Sequence, residues 1–129
     1  HVMTGRFQQI CMPSSYFDAV LSIQTLNHGY ETDIAQGFSE MSRVLKPHGL
    51  VFITLPGRVA KGKVRYCLVK TARQVEDHTY IPTLGDEIGT PHHIFNLALI
   101  ERYMRNYRQL RKIWTDERDY YCILAEKIN

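Results

Sequence analysis

The chain has 129 residues, 44% of them hydrophobic and 22% charged, with a formal net charge of +3. That length and composition fit one soluble globular domain, and so small a net charge does not by itself call for a nucleic-acid partner. The longest uncharged apolar run falls far short of the ~20 residues that span a bilayer, and the first residues lack a basic-then-apolar leader, so a cytoplasmic protein without membrane contact is expected. Cys11, Cys67 and Cys122 are odd in number and widely spaced, a pattern that predicts reduced, partly buried thiols rather than a disulfide or zinc framework. The first residue is His1, not a methionine, as expected where numbering begins inside a longer polypeptide or after a cloning remnant.

In chain order, Phe17, Ala19, Val20, Leu21 and Ile23 form a short, nearly continuous apolar run, as a strand covered on both faces requires. After a polar turn over 27–31, Ile34, Phe38, Met41 and Val44/Leu45 recur at steps of three and four, the stripe of an amphipathic helix of about four turns. Pro47 and Gly49 are expected to stop it, proline by removing a donor and glycine by taking a left-handed turn. A second buried strand follows from Leu50 to Leu55, ending at Pro56-Gly57. Strand, crossover helix and strand make a right-handed parallel unit, so a parallel sheet with helices on its faces is predicted.

Between Arg58 and Arg73 lie six basic residues (Arg58, Lys61, Lys63, Arg65, Lys70, Arg73) and no acidic one, before an irregular stretch to Pro91. Residues 58–91 therefore read as an irregular basic insertion, either a solvated lid or a surface for RNA or a phosphorylated acceptor. Asn96 is placed to N-cap a helix reaching about Tyr107, with Leu97, Ile100, Tyr103 and Met104 on one face. Residues 110–115 and 120–126 read as an antiparallel hairpin at the sheet edge, turned by "DERD". Everything falls in one domain, 1–129.

Four stretches, "ICMPSSYFDAVLSIQTLNH", "FSEMSRVLKPHGLVFITLPG", "GTPHHIF" and "YYCILAEK", resemble the C-terminal half of a class I S-adenosylmethionine-dependent methyltransferase, from about Gly5 to Lys127. The resemblance implies an α/β fold with a partial Rossmann-like sheet, comprising the family's fourth to seventh strands with the last antiparallel. The Gly-rich N-terminal half is absent: the glycines stand at 5, 29, 37, 49, 57, 62, 85 and 89, and no two make G-x-G. Strand 17–24 would then expose an unpaired edge open to self-association or to a partner chain.

The resemblance further implies S-adenosylmethionine as cofactor. Arg6 stands where the family has an acidic side chain that accepts from adenine, a bond that arginine cannot accept, and the backbone N–H of Phe7 is the remaining candidate there. Ser22, Ile23 and Gln24 match positions lining the methionine and sulfonium, and Leu26, Asn27 and His28 begin the acceptor pocket. His48 stands where the family turn usually has glycine. His28 is the candidate catalytic residue, as an orienting group or base, or else a structural turn histidine. His92 and His93 are candidates to line the acceptor site. No metal is expected, because no cysteine or carboxylate lies at ligand spacing around that pair. The acceptor is expected to be a small molecule. Two other readings stay open: a non-catalytic half-domain that acts as an interaction module or pairs with a chain supplying the missing strands, and a tRNA or RNA methyltransferase.

Overall fold

The computed structural model describes residues 2–57, 71–118 and 120–129. Most of the basic run, 58–70, and with it Cys67, lies outside the described residues. The elements in order are β1 (Phe17–Ile23), α1 (Glu31–Val44), β2 (Leu45–Pro56), β3 (Ala72–Glu76), β4 (Thr79–Pro82), β5 (His92–His93), α2 (Leu97–Tyr103), β6 (Tyr107–Gln109), β7 (Trp114–Thr115) and β8 (Tyr120–Lys127).

The predicted parallel unit is present: β1 pairs with β2 in parallel, Val20 opposite Val51 and Ser22 opposite Ile53. β8 lies antiparallel on the other side of β2, from Leu50 opposite Glu126 to Pro56 opposite Tyr120. Among the described residues the main sheet runs β1-β2-β8-β6, with β7 also on β8. The expected hairpin is thus split, because two short strands rather than one continuous strand accompany β8.

Alternation along β2 sends Val51, Ile53 and Leu55 to one face, where none is exposed. The stripe of α1 (Ile34, Phe38, Met41) and Leu99, Ile100 and Met104 at α2 join the same cluster, with Ile123 and Ala125 of β8. Both described helices therefore cover one face, contrary to the expectation of cover on both. The opposite face leaves Leu21 72%, Ile23 58% and Leu50 43% exposed.

Helix α1 begins where the Asp33 carboxylate accepts the Tyr30 N–H, one half of a capping box. It ends at Val44, and the chain enters β2 at once. The left-handed residue is His48, at φ 62°, whereas Gly49 keeps ordinary backbone angles; its lack of a Cβ is needed because Leu45 Cδ1 would stand 2.7 Å away. His48 adopts this left-handed turn at a cost of about 1–2 kcal/mol.

Gly37, in the middle of α1, serves packing. A Cβ there would lie 2.5 Å from Phe7 Cδ2 and 2.6 Å from Leu26 Cδ2. Gly37→Val is expected to destabilise the protein by about 1–3 kcal/mol through overpacking. A melting temperature equal to or above the parent's would show that Phe7 is not seated against the helix.

Within the stretch read as irregular, residues 72–82 are regular, whereas 83–89 are turns and bends. β3 and β4 form an antiparallel hairpin, and β5 completes a second, three-stranded sheet β3-β4-β5. It is tied to the main sheet by backbone bonds: His93 N to Asn27 O at 2.7 Å and Phe95 N to Pro56 O at 2.9 Å. The small sheet consequently sits against the carboxyl ends of β1 and β2. Asn96 caps α2 as expected, accepting from Leu99 N at 2.8 Å, but the helix stops at Tyr103 and Leu97 is half exposed. No described helix is long and apolar enough to cross a membrane. Cys122 is buried, but Cys11 is exposed rather than partly buried.

Candidate functional site

The chain leaves the carboxyl end of β1 through an unusual backbone turn. Gln24 has φ 51°, a conformation that non-glycine residues seldom adopt and that is concentrated at functional sites. Its N–H donates to Thr54 Oγ1 of β2 at 2.9 Å, so the neighbouring strand holds the turn. Asn27 N then donates to Thr25 O at 2.8 Å, and the chain doubles back towards α1.

Two groups of candidate residues form around this turn. Phe7, Ser22 and Leu26 line a cavity of about 140 Å³ with Val20, Leu21 and Thr25. Leu26 was expected in the acceptor pocket, yet it is 2% exposed and belongs to the core on this side. Arg6, Ile23 and Gln24 are exposed and do not line the cavity.

Asn27, His28, His92 and His93 make the second group. The rings of His28 and His92 lie 4.8 Å apart. In a strand successive side chains leave on opposite faces, so the two adjacent histidines of β5 do different things. His93 Nδ1 lies 2.9 Å from Thr79 Oγ1, and that hydroxyl donates to Glu76 Oε2 at 2.6 Å. Having spent its only proton, the Thr79 oxygen must accept from His93 Nδ1–H. Burial, and secondarily the nearby His78, pushes His93 down to about 4. Glu76 also accepts Glu31 N at 2.9 Å, at the start of α1; the Thr79 hydroxyl and this N–H hold its carboxyl below the usual range.

His92 turns the other way. Its Nδ1 lies 2.8 Å from Thr90 O and its Nε2 3.2 Å from Glu87 Oε2. The expectation that no carboxylate accompanies these histidines is corrected here: Glu87, five residues before His92, is returned to it by the turn containing Gly85 (φ 87°) and Gly89 (φ 80°). His28 is lowered by partial burial and then by His92, with Glu87 opposing.

Ser22 Oγ, Asn27 Oδ1 and His93 Nε2 are buried with no hydrogen-bond partner among the described residues. Buried polar atoms are nearly always paired; these three are exceptions, as are the hydroxyls of Tyr103 and Tyr107 elsewhere among the described residues. A larger surface hollow of about 600 Å³ near α1 and α2 is less apt. Three of the four cations lining it are engaged: Arg43 with Glu40 at 2.7 Å, Arg102 with Glu31 at 3.5 Å, and Lys127 with the carbonyls of Ser42 and Leu45.

Sequence reasoning missed Thr54, Glu76, Thr79 and Glu87. Only Thr79 left a signal, as the first of the β-branched and aromatic residues in "TYI" after the polar pair Asp77-His78.

A mixed sheet of this order, with its last strand antiparallel and its polar site at the carboxyl end of a parallel strand, is the fold of class I S-adenosylmethionine-dependent methyltransferases. Residues 1–53 match the family described as methyltransferase domain. Solved structures agree over nearly the whole chain. The 1,6-didemethyltoxoflavin-N1-methyltransferase of Burkholderia thailandensis, with bound 1,6-didemethyltoxoflavin and S-adenosylhomocysteine, matches at TM-score 0.68 and 13% identity, over 95% of this chain and 48% of that one. A Thermotoga maritima protein described as a possible histamine N-methyltransferase gives 0.67 and 14%, over 98% and 64%. Human N-acetylserotonin methyltransferase in complex with S-adenosylmethionine gives 0.63 and 12%, over 98% and 33%. This chain spans about half the length of the first of them. No match was found among curated proteins. The matched family and these neighbours make S-adenosylmethionine the cofactor to consider.

Proposed function

We propose that the chain forms the C-terminal half of a class I methyltransferase, in which β1, β2, β6 and β8 are the family's fourth, fifth, sixth and seventh strands, and that it transfers a methyl group to a small-molecule acceptor. The observation that carries this is the set of unpaired Ser22, Asn27 and His93 atoms at the carboxyl end of β1, where open α/β sheets bind ligands. The exposed apolar Leu21 and Ile23 on the edge strand support it too, since further strands and helices would cover them. Self-association through that edge is the competing use.

The residues present fit one wall of a cofactor site. Ser22 offers an unpaired hydroxyl beside the aromatic ring of Phe7 and apolar Leu26, a mixed surface suited to a nucleoside and an amino-acid tail. When bound, S-adenosylmethionine supplies a methyl group already activated on its sulfonium. The protein's share is then to align an acceptor and exclude water. Gln24, locked by Thr54, fixes the turn that separates the two groups. Asn27 and the buried Nε2 of His93 are proposed to hold the acceptor's polar atoms, with His28 at the mouth orienting it.

The test is titration of S-adenosylhomocysteine into the protein at its full natural length. Binding is expected, and Ser22→Val should weaken it about tenfold, the loss of ~1.4 kcal/mol that a buried hydrogen bond represents. Failure of the parent protein to bind would sink the reading.

A further inference from the structure

We infer that His28, Glu87 and His92 form a divalent-cation site, of the kind that takes Zn²⁺. One ligand atom from each residue lies within 4.8 Å of the other two. Two imidazoles and a carboxylate are a donor set that suits zinc, leaving a fourth position for water.

The arrangement of hydrogen bonds carries the argument beyond proximity. A carbonyl oxygen only accepts, so the 2.8 Å contact with Thr90 O fixes the His92 proton on Nδ1. The lone pair of Nε2 then faces the Glu87 carboxylate at 3.2 Å. Two acceptors face each other at that distance only with a positive charge between them, either a second proton on the ring or a cation. Metal-binding histidines almost always carry this outer bond to a carbonyl or carboxylate, which fixes the tautomer and aims the other nitrogen. His92 has it, and its side chain is fully buried, so its aim is set by the fold.

His28 and Glu87 are exposed and free to adjust. Ligands on a tetrahedral ion with bonds of 2.0–2.1 Å stand about 3.3 Å apart, so small rotations of these two side chains close the site around the fixed His92 nitrogen. The ligands come from the loop after β1, from the turn after β4 and from β5, three segments that meet only because the small sheet docks on the main one. His93, adjacent in sequence, takes no part, since its ring faces Thr79 and Phe95.

This inference stands apart from methyl transfer and is read without any cofactor. The experiment is a Zn²⁺ titration of the metal-free full-length protein against a chromophoric chelator, repeated on a His28→Ala/Glu87→Gln double variant. The double variant keeps Cys11 and every other surface histidine, so adventitious sites titrate equally in both proteins. Loss of an outer-shell partner alone weakens metal sites by ~10–100-fold, so removal of two ligands is expected to cost at least about a hundredfold, with one tight equivalent lost per chain. Far-ultraviolet circular dichroism checks that both proteins are folded. A change below about tenfold, or no tight binding by either protein, overturns the site.

Discussion

Phe95→Ala is expected to cost about 3–5 kcal/mol of stability, the range for deleting a buried phenylalanine side chain. Phe95 is completely buried and lies where the two sheets meet. Its N–H donates to Pro56 O at 2.9 Å, where β2 ends. Its ring packs edge-on against Phe38 of α1 at 6.3 Å, against Tyr103 of α2 at 6.3 Å and against His93 of β5 at 5.0 Å. No surface residue can collapse into the space left by the ring, because Phe38, Ile53, Leu55 and Ile100 around the same core are themselves buried. Domains of this size are stable by only about 5–15 kcal/mol, so the loss takes a large share of the total. Urea denaturation of the purified variant measures it, with Phe95→Leu as the milder comparison expected to cost less than half as much. A loss under about 1 kcal/mol would mean that the ring does not join the small sheet to the main core.

The parts of the fold legible in the sequence are those whose pattern is local. Ile34, Phe38 and Met41 announced α1 because a helix with one buried face must repeat its apolar residues at that step. Asn96 announced α2 because a short polar side chain before an apolar run satisfies an orphan N–H. The small sheet was hidden. β3 and β4 carry Arg73, Gln74, Glu76 and Tyr80 instead of a simple apolar alternation, and the Glu76 side chain is spent on a distant group, Glu31 N. The exposed face of the main sheet was hidden for the opposite reason. Leu21, Ile23 and Leu50 are apolar and read as covered, but only tertiary structure decides which side a helix lands on.

The site shows the same division. Ser22, Asn27 and His28 became candidates through the family resemblance, around the carboxyl end of a strand that could be read, and His92 and His93 stand in the "GTPHHIF" stretch that shares it. Their functional separation was not legible: that His93 binds Thr79 while His92 meets Glu87 depends on the two-residue period of a strand too short to show a period of its own. Sequence spacing also concealed Glu87, since the turn that carries it back closes through Gly89 N to Pro82 O at 3.2 Å, an interaction that no side-chain pattern announces.

His93 should make the protein lose stability as the pH falls from about 6.5 to about 4. Its ring is 1% exposed, and burial holds it in the neutral form down to about 4, against 6.5 for an unburied histidine. Between those values the unfolded chain binds a proton that the folded chain refuses. Stability then rises with pH across the window: the contribution is complete above 6.5, declines on acidification, and is gone by about 4. A shift of that size corresponds to at most about 3 kcal/mol. The carboxylates act lower: Glu76 and Glu40, the latter held at about 2 by Arg43 and the Ile10 N–H, both start from 4.5 and erode stability only below that value. His28 is also lowered and shares the upper part of the window, so the comparison must be made on a variant. Gln at position 93 has an N–H to offer the Thr79 oxygen and no titrating proton. In His93→Gln, urea midpoints measured from pH 7.5 to 4.5 are expected to fall much less steeply than in the parent. Parallel slopes in the two proteins would show that the His93 ring takes up its proton in the folded state, and that burial does not keep it neutral.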